Sequence, residues 1–231
     1  MDNDLQWYQK RKLAKNKSIS NIYLKEFFET RIKLLSPFAP FFCEEIWEIM
    51  GNNSFISLAS WPEADGSKNT LKTEDNERLI QDTIIDIHKI TKVTKMIPKK
   101  IMIYTASSMK YKLYKKLLNR IESQSTANFG VLMKEFVNDN EIKDFVKQNP
   151  ELVKKMIDDI LSESLEVRCR RTKIDSFDEL IPLQDARSLL ISEIGNDQLE
   201  VNIFSEDSSD KYDPKQKSKY ARPFKPAIFI E

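Results

Sequence analysis

Along most of the chain, apolar residues recur at three- and four-residue spacing, and only a few short stretches alternate or run apolar without a break. That pattern predicts a helix over 5–15, anchored by Trp7 and Tyr8. A second helix carries Ile22, Leu24, Phe27, Phe28, Ile32 and Leu35, with Ser18 or Ser20 as its cap. Pro37 must end that helix, since proline lacks an N–H and clashes with the preceding turn. Pro40 suits the first residue of a new helix, and Gly51 suits a left-handed stop. Phe38, Phe41, Phe42, Ile46, Trp47, Ile49 and Met50 make this stretch read as a kinked core helix.

Residues 52–69 read as a linker, with 54–58 extended and Trp61-Pro62 as a fixed corner. A long helix follows over 74–94, its stripe formed by Leu79, Ile80, Ile84, Ile87 and Ile90, and Pro98 closes it. Residues 101–104 suit a buried strand, and Ser107 or Ser108 caps a helix through Arg120. Shorter helices are expected over 131–136, 141–148 and 151–161. Residues 165–170 alternate in the manner of an edge strand. Pro182 opens a helix with Leu183, Ala186, Leu189, Leu190 and Ile194 inward, stopped by Gly195. Residues 199–203 alternate as a half-buried strand, 205–223 lack any apolar period and read as a mobile loop, and 227–230 read as a last strand docked in a sheet.

The predicted fold is mainly α with an α+β part. A partial helical bundle and linker occupies 1–72, and an α+β domain with a three-stranded sheet occupies 73–231. The opening hairpin is incomplete as a bundle, so a longer parent chain is expected. No apolar run approaches the roughly 20 residues a membrane span needs, and the first residues lack a signal peptide's basic region. Cys43 and Cys169 lie far apart and read as free thiols in a reducing cytosol.

Composition narrows the chemistry. Four glycines leave no Gly-x-Gly or Walker-type phosphate loop, and one histidine, His88, rules out histidine-paired metal motifs. His88 sits within a helical pattern, and neither cysteine has a nucleophile's setting. The chain reads as non-catalytic.

Net charge is only +1, but its distribution is uneven. No acidic residue falls between Asp86 and Glu122, while that stretch holds ten cations. Among them, Lys112, Lys115, Lys116 and Arg120 fall at spacings that can share a helical face, and with Lys110 they suit phosphate binding. Lys10, Arg11 and Lys12 form a lesser basic run, as do Lys215, Lys217, Lys219, Arg222 and Lys225. Tyr111, Tyr114 and Tyr220 lie among these charges and could stack on unpaired bases, packing being the alternative for Tyr111 and Tyr114.

The wording of one region is specific. Leu34-Leu35-Ser36-Pro37-Phe38-Ala39-Pro40, then Glu44-Glu45-Ile46-Trp47 and Trp61-Pro62, resembles the anticodon-binding helical domain of class I synthetases of the leucine, isoleucine and valine group. The ending Lys225-Pro226-Ala227-Ile228-Phe229-Ile230-Glu231, with the helix-rich spacer from Glu74, is similar to the C-terminal part of archaeal leucyl-tRNA synthetases. One departure is Phe41, where the family usually has histidine. The resemblance implies a tRNA-binding region whose partners are leucine tRNA and the remaining domains of the synthetase, in the cytoplasm and without a membrane. ATP and Mg would belong to the parent's catalytic domain, with no cofactor here. It also implies that the helical unit supports the tRNA body and the C-terminal domain reaches the long variable arm, with Ile228, Phe229, Ile230 and Glu231 as base contacts and Lys225 beside them. A protein-docking domain without nucleic-acid contact is the competing reading.

Overall fold

A computed structural model describes residues 2–63, 71–123, 129–174, 177–195 and 198–231. Its contacts divide the chain into two compact units, Met1–Asn69 and Thr70–Glu231.

The first unit holds α1 (Asp2–Leu13), α2 (Asn21–Leu35) and α3 (Pro40–Ile49). Ser20 stands at the N-cap of α2 without a side-chain cap bond. Helix α2 stops at Ser36, and Pro40 opens α3, where its missing N–H leaves no donor stranded. Gly51 takes φ +86 after α3, a conformation that costs a side-chain-bearing residue more than glycine. The stretch 54–58 is not extended: Ile56–Leu58 is a 3-10 turn, because Glu44 accepts the Ile56 N–H at 2.8 Å and Ile56 is buried against Ile32, Cys43 and Trp47. Nor is α3 buried all round. Phe38 and Phe41 are 85% and 90% exposed, and Phe42 and Ile49 are also on the surface, since three helices bury only one stripe of it.

The second unit opens with α4 (Leu71–Thr94), which buries Leu79, Ile80, Ile84 and Ile87. Next come β1 (Lys100–Thr105), α5 (Ser108–Ser123), α6 (Phe129–Val137), α7 (Lys143–Gln148) and α8 (Pro150–Ser162). Helices α5 to α8 share a helical core around Leu117, Leu118, Phe136, Val146, Val153 and Met156. The alternating stretch near 165 is α9 (Leu165–Thr172), not a strand: the Ser164 hydroxyl accepts the Val167 N–H, and Val167 and Arg171, four apart, are both buried. The single helix expected from Pro182 is two, α10 (Leu180–Asp185) and α11 (Arg187–Ile194), broken at Ala186. Asp178 caps the first by accepting the Leu180 N–H at 3.0 Å.

The sheet has the order β2-β1-β3, with β2 (Glu200–Ser205) parallel to β1 and β3 (Ala227–Ile230) antiparallel. The three predicted strands are the three strands observed. Residues 205–223, expected to be mobile, are held in place instead. Asp213 accepts the N–H groups of Lys217 and Ser218, Tyr104 donates to the Tyr212 carbonyl at 2.6 Å, and residues 218–220 form a buried-ended 3-10 turn. Polar groups, which carry no apolar period, do this.

Lys110 is the centre of that arrangement. It is 2% exposed, and its ammonium donates to Glu206 past the end of β2 and to the carbonyls of Lys219 and Ala221 ahead of β3. Burial pulls its pKa below the usual lysine value, while Glu206 holds it up. Lys110→Met leaves the Glu206 carboxylate without its cation and two carbonyls without their donor, so the chain should lose about 3 kcal/mol, read as a lower urea midpoint with an unchanged slope.

Candidate nucleic-acid interface

Helix α5 follows β1 directly, so its first turn lies at the carboxyl ends of the parallel pair β1 and β2. In open α/β sheets that crevice, with a helix N-terminus, is where phosphates bind. Here protein carboxylates fill it: Glu206 accepts the Ser107 N–H at 3.1 Å and Asp207 accepts the Ser108 N–H at 2.7 Å. The donors a nucleotide phosphate would need are already bonded, so these residues do not fit an ATP site.

The cations of α5 are also largely spoken for. Lys110 is buried, which withdraws it from any outer surface. Lys115 donates to the carbonyls of Thr172 and Ile174, closing the C-terminus of α9 as a cation near a helix end does. Lys116 sits 2.6 Å from Asp139 and 2.9 Å from Glu141, whose hydrogen bonds raise its pKa. Arg120 meets Glu135 at 2.8 Å. Lys112 is exposed on the same helix. Tyr114 is buried and bonded to Arg171, and Tyr111 lies stacked on Phe177 at 6.3 Å, so neither is a free stacking surface. A basic stretch in the sequence is therefore a paired one in space. In the first unit, Lys10, Arg11 and Lys12 form the last turn of α1, with Lys12 over the Tyr8 ring at 5.4 Å.

The opposite balance holds beside β3. Glu231 exchanges hydrogen bonds with Lys100 at 2.8 Å, and Phe229 and Ala227 lie opposite Met102 and Tyr104. By the alternation of an antiparallel ladder, the main-chain groups of Ile228 and Ile230 then point away from β1. Among the described residues no strand pairs with that side. Lys225 is tied to Asp159, but Lys215, Lys217 and Lys219 are exposed and lie on aromatic rings rather than carboxylates. Lys215 is 5.7 Å from the Phe229 ring centre, and Lys217 and Lys219 are 5.9 and 5.3 Å from that of Tyr220. Tyr220 is 54% exposed. The structure thus brings Ile228, Phe229, Ile230 and Glu231 together with three cations that sequence reading ranked below α5. Counting charge along the chain could not separate them, because what differs is which carboxylates fold against each run.

The hairpin that leads into β3 is held from beneath. Phe224, at φ +60, donates its N–H to Glu179, and the Arg171 guanidinium lies 3.5 Å from its ring. Arg171 is itself buried against Tyr114, Glu163 and Asp75.

Residues 1–106 match the sequence pattern of the anticodon-binding domain of tRNA ligases. As a whole, the chain is 36% identical over 231 residues to the leucine–tRNA ligase of Methanococcoides burtonii, covering 99% of the chain and 23% of that relative. It is 34% identical over 229 residues to the leucine–tRNA ligase of Methanosarcina acetivorans (99% and 22%), and 33% identical over 230 residues to that of Pyrococcus abyssi (99% and 21%). The chain spans between a fifth and a quarter of the length of these curated relatives. Along nearly its whole length it is similar to archaeal leucine–tRNA ligases.

Burial pushes the Glu179 carboxyl up to about 7 from 4.5, although the Phe224 N–H pulls the other way. The folded chain therefore holds a proton between these values that the unfolded chain does not. This contribution is complete below about pH 4.5 and is lost as pH rises through 7. Relative to Glu179→Gln, wild type should lose stability between pH 5 and 7.5, by at most about 3 kcal/mol, in urea titrations at the two pH values.

Proposed function

We propose that this chain is the tRNA-holding region of a leucine–tRNA ligase, and that its second unit takes up the long variable arm of leucine tRNA. Attachment of leucine with ATP belongs, in this reading, to the part of the ligase outside this chain. The observation that carries the proposal is the open edge of β3 flanked by Lys215, Lys217 and Lys219, in a chain similar to leucine–tRNA ligases over 99% of its length. Phosphates need cations not already bound to carboxylates, since each neutralised phosphate releases counterions. Unpaired bases need free donors and acceptors, which Ile228 and Ile230 supply from the main chain. The apolar surface of Phe38, Phe41, Phe42 and Ile49 supports a second partner, the remaining domains of the ligase, since patches of this kind mark interaction sites.

The test is a gel shift of the chain with leucine tRNA across a salt series. Binding should weaken steeply with salt and drop about tenfold or more when the variable arm is shortened. Lys215→Ala, Lys217→Ala and Lys219→Ala should each reduce the salt slope by about one, whereas Lys115→Ala and Lys116→Ala should leave it unchanged. Deleting Ile230 and Glu231 should abolish the preference for the intact arm. Equal affinity for both arms would leave generic phosphate binding, and no binding at all would leave only the protein-docking role.

A further inference from the structure

Beside the open edge of β3 lies a cleft of about 460 Å³, within the size range of small-ligand sites. One wall is a single face of α4, where Asp82, Ile85 and Asp86 project at helical spacing. The other is formed by Lys217, Tyr220 and Ile228. Ile85 and Tyr220 are both half-exposed, so the cleft has an apolar surface on each side. Asp86 is bonded to Lys89 at 2.9 Å, whereas the Asp82 carboxylate makes no hydrogen bond or ion pair among the described residues. Partial burial pushes the Asp82 carboxyl above its usual value, with Arg78 pulling it back. A carboxylate here repels phosphate but accepts a hydrogen bond from an amino group. Lys89 adds one cation to the α4 wall, paired with Asp86, and Lys217, Arg222 and Lys225 line the cleft from the segment leading to β3.

We propose that this cleft takes up one unpaired nucleotide of the bound RNA whose base carries an exocyclic amino group, stacked on Tyr220 and donating to Asp82. The inference rests on the tRNA-binding reading above and adds the base class and the residues that select it. Adenine, guanine and cytosine each present an amino group to such an acceptor, and uracil presents none. Stacking on an exposed aromatic tolerates any base, so Tyr220 supplies affinity and Asp82 the discrimination. Lys217, close to the Tyr220 ring, is placed for the phosphate of the same nucleotide.

The experiment uses the full chain and a synthetic RNA hairpin with the sequence of a leucine-tRNA variable arm, read by fluorescence anisotropy. Each unpaired base is replaced in turn by its analogue lacking the amino group: purine for adenine, inosine for guanine, pyrimidinone for cytosine. At one position the analogue should bind wild type about tenfold more weakly, and Asp82→Ala should bind natural and analogue RNA alike, at the weaker value. Tyr220→Ala should weaken all of these hairpins about fivefold or more, with the salt slope unchanged. Thermal melting confirms that both variants are folded, as expected for side chains at the surface. If the hairpin binds but no position loses its amino-group effect in Asp82→Ala, the cleft assignment is overturned while the tRNA-binding reading stands. If the hairpin does not bind wild type, that reading and the cleft fall together.

Discussion

A single buried ammonium fixes the layout of the second unit. Lys110 sits one turn into α5 and bonds at once to Glu206 beyond β2 and to the carbonyls of Lys219 and Ala221 ahead of β3. The central strand, the parallel strand and the approach to the antiparallel strand therefore converge on one charge. Such a charge is costly to bury and tolerable only with its partners in place, so the positions of 206, 219 and 221 are mutually dependent. The same convergence brings Glu206 and Asp207 onto the first amides of α5, which converts a potential anion site into an internal cap.

A second ionic centre acts on the hairpin before β3. Arg170 and Arg171 of α9 reach Asp75 of α4, Arg171 also meets Glu163 and Tyr114, and its guanidinium covers Phe224. Glu179 holds the Phe224 amide from the other side. Arginine suits this place because its planar group can bond at its edge and stack on its face together. These contacts set where β3 starts, and hence which of its residues turn their main chain outward. The inner cations shape the fold, and Lys215, Lys217 and Lys219 stay exposed beside aromatic rings.

The elements that packing dictates were legible in the sequence. The strands at 101–104, 199–203 and 227–230 were visible because a short apolar or alternating run has few other uses, and α4 because its stripe from Leu79 to Ile90 persists for about three turns. Six residues from Leu165 satisfy both periods, and the deciding facts are the Ser164 cap and the buried side chain of Arg171, a residue type normally read as exposed. Residues 205–223 gave no signal because hydrogen bonds to Asp213, Tyr104 and Lys110 order them, and bonds between distant polar groups have no period. Which of the predicted cations stay unpaired was not legible. Asp139, Glu141 and Glu135, which neutralise Lys116 and Arg120, lie at least fifteen residues away in sequence. The acidic wall on α4 could not be read at all, since only the folded chain sets it opposite Tyr220.

Two surfaces of different character follow from this. The first unit carries exposed Phe38, Phe41 and Phe42 together with the basic last turn of α1, and the second carries a strand edge with cations beside it. The central claim is that RNA meets the β3 edge and not the lysine face of α5. Amide hydrogen exchange of the chain with and without leucine tRNA tests it most directly. The outward amides of Ile228 and Ile230 and the segment 215–220 should exchange more slowly in the complex, while α5 is unchanged. Protection on α5 with no change at Ile228 and Ile230 would contradict it.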